Sequence, residues 1–231
     1  MFTGIIEECG KIVGIRPLGT RGKTVEVRAK AVLEDLKVGS SIAVNGVCLT
    51  TIRFGKQTFF TELSTETVRR TTFSKMSVGT PVNLERPMSA QARFGGHIVQ
   101  GHIDTVGRFV GAAALKDSWM YAFEVPIEFL PLAVFKGSIA IDGVSLTIAE
   151  LETGPALQKR RVFRITIAII PHTHDVTNFK TLKRGQGVNL EFDVVAKYVQ
   201  QMLEKIRLPK AKSSRSAKVK LTVQSLRQMG F

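Results

Sequence analysis

A thiol and a hydroxyl occupy the same position of a repeated motif. Asn45-Gly46-Val47-Cys48-Leu49-Thr50 is answered, 97 positions later, by Asp142-Gly143-Val144-Ser145-Leu146-Thr147. Cys48 could act as a nucleophile or base if its pKa were lowered; a small buried apolar residue is its competing role. Cys48 and Ser145 share small size and hydrogen-bonding capacity, and Thr50 and Thr147 could offer hydroxyls to one ligand type in both copies. His102, in the run Gly96-His97-Ile98-Val99-Gln100-Gly101-His102, is the side chain suited to proton transfer near neutrality, with a structural histidine as the alternative. His97 carries less weight. Lys136 and Asp193 are charges beside apolar strand residues, placed either to rim a barrel or to orient a polar ligand. The histidines and two cysteines match no metal-ligand spacing, and no metal site is expected. Phosphate-binding loops, the dinucleotide fingerprint and a nucleophile elbow are missing from the sequence.

The repeat extends beyond this motif. Thr3-Gly4-Ile5-Ile6-Glu7 answers Gln100-Gly101-His102-Ile103-Asp104 at the same offset, whereas Val82-Asn83-Leu84-Glu85 and Val188-Asn189-Leu190-Glu191 lie 106 apart. The second copy therefore carries about nine extra residues, assigned to a longer hairpin over Leu151 to Arg161. Thr24–Arg28, Ser41–Asn45 and Val162–Ile167 alternate with the period of strands, and glycines punctuate the runs. Several short strands in each copy predict a small closed barrel, because closure removes exposed edges. Ser64 caps a predicted short helix in the first copy, and the Pro171–Val176 segment plays the same part in the second. The expected organisation is a first barrel over 1–96, a second over 97–193, a helix over 194–208 and a poorly ordered basic tail over 209–231. Met88 to Gly96 reads as the linker. Val195, Tyr198, Val199, Met202 and Ile206 recur at helical spacing, a stripe that must cover its own barrel or meet the same helix of another subunit.

Composition excludes some classes. No apolar run is long enough for a membrane span, no leader is expected ahead of the repeat, and two cysteines suit a reducing, cytoplasmic setting. The net charge of +14 suggests polyanions, but the stretch from Lys205 to Phe231 holds eight basic residues and no acidic one. Few aromatics are available for base stacking, so nucleic acid is an improbable partner.

Taken in order, these motifs resemble the riboflavin synthase family. The resemblance rests on Met1 to Ile6, Asn45 to Thr50, Gly96 to Ile103, Asp142 to Thr147, Ile170 to Thr173 and Val188 to Asp193, and covers about residues 1 to 205. It implies an all-β chain of two tandem, homologous six-stranded antiparallel barrels, each binding one 6,7-dimethyl-8-ribityllumazine, with a terminal helix assembling a homotrimer. The implied reaction moves a four-carbon unit between two lumazines, giving riboflavin and 5-amino-6-(D-ribitylamino)uracil without a cofactor. The first implied site comprises Gly4, Ile5, Ile6, Ser41, Cys48, Leu49, Thr50 and the stretch from Glu62 to Thr67. The second comprises Gly101, His102, Ile103, Lys136, Ser145, Leu146, Thr147 and the stretch Ile170, Pro171, His172, Thr173 to Asp175. Cys48, His102, Ser145, Thr147 and Asp193 match catalytic positions, with His102 and Thr147 expected to handle protons and Cys48 and Ser145 to stabilise an adduct. Lumazine synthase, of the same pathway, is a candidate partner. A non-catalytic lumazine or flavin carrier on the same double barrel is the alternative.

Overall fold

The computed structural model describes residues 1–207; the expected basic tail over 209–231 and the last position of the 194–208 helix lie outside them. The first barrel comprises β1 (Glu8–Pro17), β2 (Gly22–Arg28), β3 (Ser41–Val44), β4 (Val47–Phe54), β5 (Thr58–Ser64) and β6 (Pro81–Glu85). The second comprises β7 (Thr105–Ala114), β8 (Trp119–Pro126), β9 (Ser138–Ile141), β10 (Val144–Glu152), β11 (Val162–Ile169) and β12 (Gly187–Phe192). Each sheet closes on itself, and the circular order β1-β2-β5-β4-β3-β6 is repeated by β7-β8-β11-β10-β9-β12.

Alternation decides which side chains fill the barrels. Val25 and Val27 are buried while Arg28, the last residue of β2, is exposed, and Phe163, Ile165, Ile167 and Ile169 are all buried along β11. Each such side chain contributes about 1.5–3 kcal/mol on leaving water. The tight curvature is made by bulges at repeat-equivalent places. β1 shifts register between Ile12 and Gly14, as β7 does between Phe109 and Gly111. β4 shifts between Thr51 and Arg53, as β10 does between Ile148 and Glu150.

Helix α1 (Thr65–Arg70) starts where expected, with the Ser64 hydroxyl accepting from the Thr67 amide at 3.1 Å. The extra residues of the second copy do lengthen β10, but they also form a separate helical turn, α2 (Pro155–Lys159), pinned by buried Leu157. Proline at the first position of that turn suits it, since its amide would be unpaired in any case. Helix α3 (Pro171–Val176) follows β11, and α4 (Val194–Arg207) ends the described chain.

The barrels meet across a local two-fold. Gly46 and Gly143, with φ of +76° and +82°, approach so closely that a Cβ on Gly46 would lie 2.7 Å from the Gly143 nitrogen. Around them Asn45, Asn83, Asp142, Asn178 and Asn189 are buried and satisfied by one another. The Asn83 side chain donates to the Asp142 carbonyl at 3.0 Å and that of Asn189 to the Asn45 carbonyl at 2.9 Å, one bond from each barrel. Phe2 and Val99 form an isolated antiparallel bridge beside this network, packed with Ala43 and Ala140.

Candidate active site

The segment ahead of each barrel crosses to the other barrel. The Ser145 amide on β10 donates to the Gly4 carbonyl at 2.8 Å, and the Cys48 amide on β4 donates to the Gly101 carbonyl at 3.0 Å. Gly4 and Gly101 have φ of +77° and +82°, and a Cβ on either would lie 2.6 Å from the Ser145 Cβ or 2.5 Å from the Cys48 Cβ. Only glycine fits there. Ile6 packs against the core of the second barrel and Ile103 against the core of the first.

This exchange corrects the grouping expected from the sequence. By resemblance Gly4, Ile5 and Ile6 belong with Cys48, and Gly101, His102 and Ile103 with Ser145; the structure pairs them the other way. Equivalent positions of a repeat occupy equivalent places on their own barrels. Sequence gives no sign that the leading segments are traded across the two-fold.

Two clusters result. On the first barrel, β3 and β4 set Ser41 opposite Thr50, with half-buried Cys48 and buried Leu49 alongside. Gly101 lies on Cys48, bringing the exposed His102 and half-buried Ile103 to this side. Glu62 on β5 is exposed, and Thr67 stands in the first turn of α1. On the second barrel, Ser145, Leu146 and exposed Thr147 run along β10, with Thr147 opposite Ser138. Gly4 lies on Ser145, and Ile5 is exposed beside it. Ile170, Pro171, His172 and Asp175 expose themselves on α3 and its approach, whereas Thr173 is half-buried.

Lys136 sits in the turn before β9 with φ of +63°, its amide donating to Ile148. The first copy places Gly39 at the equivalent left-handed position, with φ of +88°. Lys136 thus holds a backbone conformation that glycine adopts more easily. Its ammonium lies 5.1 Å from the ring centroid of exposed Phe135.

His97 is the functional candidate that sequence reasoning underrated. Its Nδ1 is 2.7 Å from the Ser145 hydroxyl, and its amide donates to the Thr3 carbonyl at 3.2 Å. The ring is buried, with Nε2 lacking a partner among the described residues. Burial pushes its pKa below the ordinary value, opposed by the negative charge of Asp193. A neutral imidazole held on a serine hydroxyl can take or return the hydroxyl proton. No spacing rule could have found the pair, since 48 positions separate its members and the crossing brings them together.

Asp193 itself accepts from the Val195 amide at 2.9 Å, capping α4. α4 is tied to the second barrel by a 2.7 Å ion pair between Lys197 and Asp104. Its apolar stripe does not cover that barrel: Val195, Tyr198, Val199, Met202, Leu203 and Ile206 are all exposed. His174 stacks on Trp119 with ring centroids 4.4 Å apart and bonds the Tyr121 hydroxyl through Nδ1 at 2.8 Å, fastening α3 to β8.

The lumazine binding domain family matches the chain twice, over residues 3–87 and 100–193. Riboflavin synthase of Actinobacillus pleuropneumoniae is 41% identical over 231 residues, covering 100% of both chains. That of Bacillus subtilis is 38% identical over 89% of this chain and 91% of its own, and that of Saccharomyces cerevisiae 38% over 88% and 86%. Among solved structures, LumP complexed with riboflavin superposes with a TM-score of 0.73 at 25% identity, covering 83% of this chain and 99% of its own. LumP complexed with 6,7-dimethyl-8-(1'-D-ribityl) lumazine gives 0.71 at 25% identity, with 83% and 98% covered. With both barrels matched and relatives aligned along nearly its whole length, the chain belongs to the riboflavin synthase family of lumazine-binding double barrels.

Proposed function

We propose that this protein is a riboflavin synthase that converts two 6,7-dimethyl-8-ribityllumazine molecules to riboflavin and 5-amino-6-(D-ribitylamino)uracil. The observation that carries the reading is the pair of clusters built by the exchanged loops. Each cluster has a barrel strand with a small polar residue, Cys48 or Ser145, and each is completed from the opposite barrel. A protein that must hold two copies of one substrate has use for two such clusters, and fixing two reactants relative to one another lowers a barrier by about 7–11 kcal/mol in favourable cases. One lumazine gives up the four-carbon unit and the other accepts it, so the substrates serve as each other's oxidant and reductant and no cofactor is needed.

The Ser145–His97 pair handles the proton at the second barrel, where the acidic 7-methyl group of a lumazine needs a positioned base. Cys48 and His102 face the other lumazine at the first barrel. Thr147 and His102 belong to different clusters of one chain, so they meet over a substrate pair only where two chains face one another. That arrangement fits a homotrimer in which the first barrel of one subunit opposes the second barrel of the next. The exposed apolar stripe of α4 supplies a self-association surface. Asp193 supports α4 and the electrostatics of His97 rather than touching substrate. The protein works in the cytoplasm; among the described residues no helix is long and apolar enough to cross a membrane. Lumazine synthase, which would deliver the substrate, is a partner to test by co-purification.

The alternative is a lumazine or flavin carrier, favoured by the likeness to LumP. Cys48, His102, Ser145 and Asp193 together, and the hydrogen bond between Ser145 and buried His97, support the enzyme. The test is incubation of the purified chain with the lumazine alone, in EDTA. Riboflavin and the pyrimidine in equal amounts support the enzyme, and saturable fluorescence change without product supports the carrier.

A further inference from the structure

We infer that Glu85 and Glu191 are positioning residues that act across the barrel interface, Glu85 on the Ser145 cluster and Glu191 on the Cys48 cluster. Glu85 ends β6 and Glu191 is the next-to-last residue of β12, and both are buried, at 4% and 1% exposure. Glu85 accepts from the Thr3 amide at 2.6 Å, the Thr3 hydroxyl at 2.8 Å and the Gly4 amide at 3.0 Å. Glu191 accepts from the amides of Gln100 at 2.7 Å, Gly101 at 2.9 Å and His102 at 3.1 Å. Each carboxylate thus grips the leading segment of its own barrel by its N–H groups. The carbonyls of Gly4 and Gly101, on the same segments, are left to accept from Ser145 and Cys48 of the opposite barrel.

A carboxylate is the group such a segment requires. It is an acceptor at both oxygens, whereas an amide in its place has one acceptor oxygen and turns an NH2 group toward backbone donors. Burying so many N–H groups without an acceptor is costly, and an ionised acceptor makes the stronger bonds. With Glu191 replaced, the Gly101 segment loses the anchor that holds it against Cys48, so the Cys48 side opens. With Glu85 replaced, the Ser145 side opens, and Cys48, which keeps Gly101 over it and meets the Thr3 segment only through Phe2, changes less. Conventional reasoning from the repeat assigns each glutamate to its own barrel and expects the reverse.

The value of these loops to a ligand rests on the function proposed above, but the crossing can be tested without it. The chain has two cysteines, so C9S leaves Cys48 as the single thiol. In that background, E191Q should raise the rate of Cys48 modification by an aromatic disulfide reagent about tenfold, with E85Q within about twofold of the parent. The pair E191D and E85D keeps a carboxylate on a shorter arm and is the comparison to use if an amide variant does not fold. A smaller difference of the same sign is expected from it. Equal rates within either pair, or a larger increase from the Glu85 variant, overturn the assignment. Turnover of 6,7-dimethyl-8-ribityllumazine by the C9S parent, measured alongside, separates the two readings: crossing without turnover retains this inference and removes the proposed function.

Discussion

Ser145 and Cys48 share a position in the repeat but not an environment. The Ser145 hydroxyl has the His97 ring at 2.7 Å, while Cys48 packs against Phe2, Ala43, Val99 and Ala140. The two positions therefore differ in hydrogen bonding, an asymmetry that suits the proposed reaction between one donor and one acceptor. H97A should lower kcat about a hundredfold or more, as loss of a positioned acid–base group does, with circular dichroism unchanged. S145A should be comparably slow, and the double variant little slower than either, because the two act as one unit. Burial holds the His97 pKa low, so its neutral form persists below the ordinary histidine value of about 6.5. The acid limb of the kcat profile should accordingly fall below pH 6.5, and a limb at or above that value would assign the proton to another group. Sequence reasoning favoured His102, a histidine between Gly101 and Ile103 in a strand-like run, and gave His97 less weight because the crossing that brings it to Ser145 has no signature along the chain.

Elements were more legible than contacts. Alternation and glycine spacing disclosed the strands, the capped helix after Ser64 and its counterpart at Pro171, because these depend on local chemistry. The α2 turn was not visible, since Gly154-Pro155 followed by so short a stretch, with Leu157 its one large apolar residue, fits a hairpin loop equally well. Nor was the exchange of Gly4 and Gly101, which depends on how two barrels dock. Backbone geometry at Lys136 carries a prediction of its own. K136G should leave stability unchanged or raise it by about 1 kcal/mol, since glycine occupies the left-handed region freely. Losing the ammonium should raise KM about fivefold, the effect of one partly exposed ionic contact. At the interface, G46A should destabilise by about 2 kcal/mol or more, because its Cβ would press on Gly143 at 2.7 Å in a backbone conformation that disfavours side chains. Thermal unfolding measures both.

Over the whole molecule, the two barrels are joined around one ionisable group. Asp142 is fully buried and matches Asn45 of the first copy, and burial pushes its pKa up to about 7, against bonds from Asn189 and Asn178 that lower it. The folded chain keeps this proton at pH values where the unfolded chain has lost it. The associated stability is present below the unfolded value of about 3.9 and is lost as pH rises toward about 7. D142N should remove that slope, narrowing the difference in melting temperature between pH 5 and pH 8, with Asn178 turning its amide to match. At the same scale, the exposed apolar face of α4 is the surface on which the proposed assembly depends. A charge at Met202 or Tyr198 should give monomers by light scattering and abolish turnover while the barrels stay folded.

The most direct measurement is the stoichiometry of the reaction with 6,7-dimethyl-8-ribityllumazine as sole substrate and EDTA present. One riboflavin and one 5-amino-6-(D-ribitylamino)uracil for every two lumazines consumed is the result expected of a double barrel that holds two copies of one molecule for transfer between them. Bound lumazine recovered unchanged, at up to two per chain, would contradict it and make the molecule a carrier.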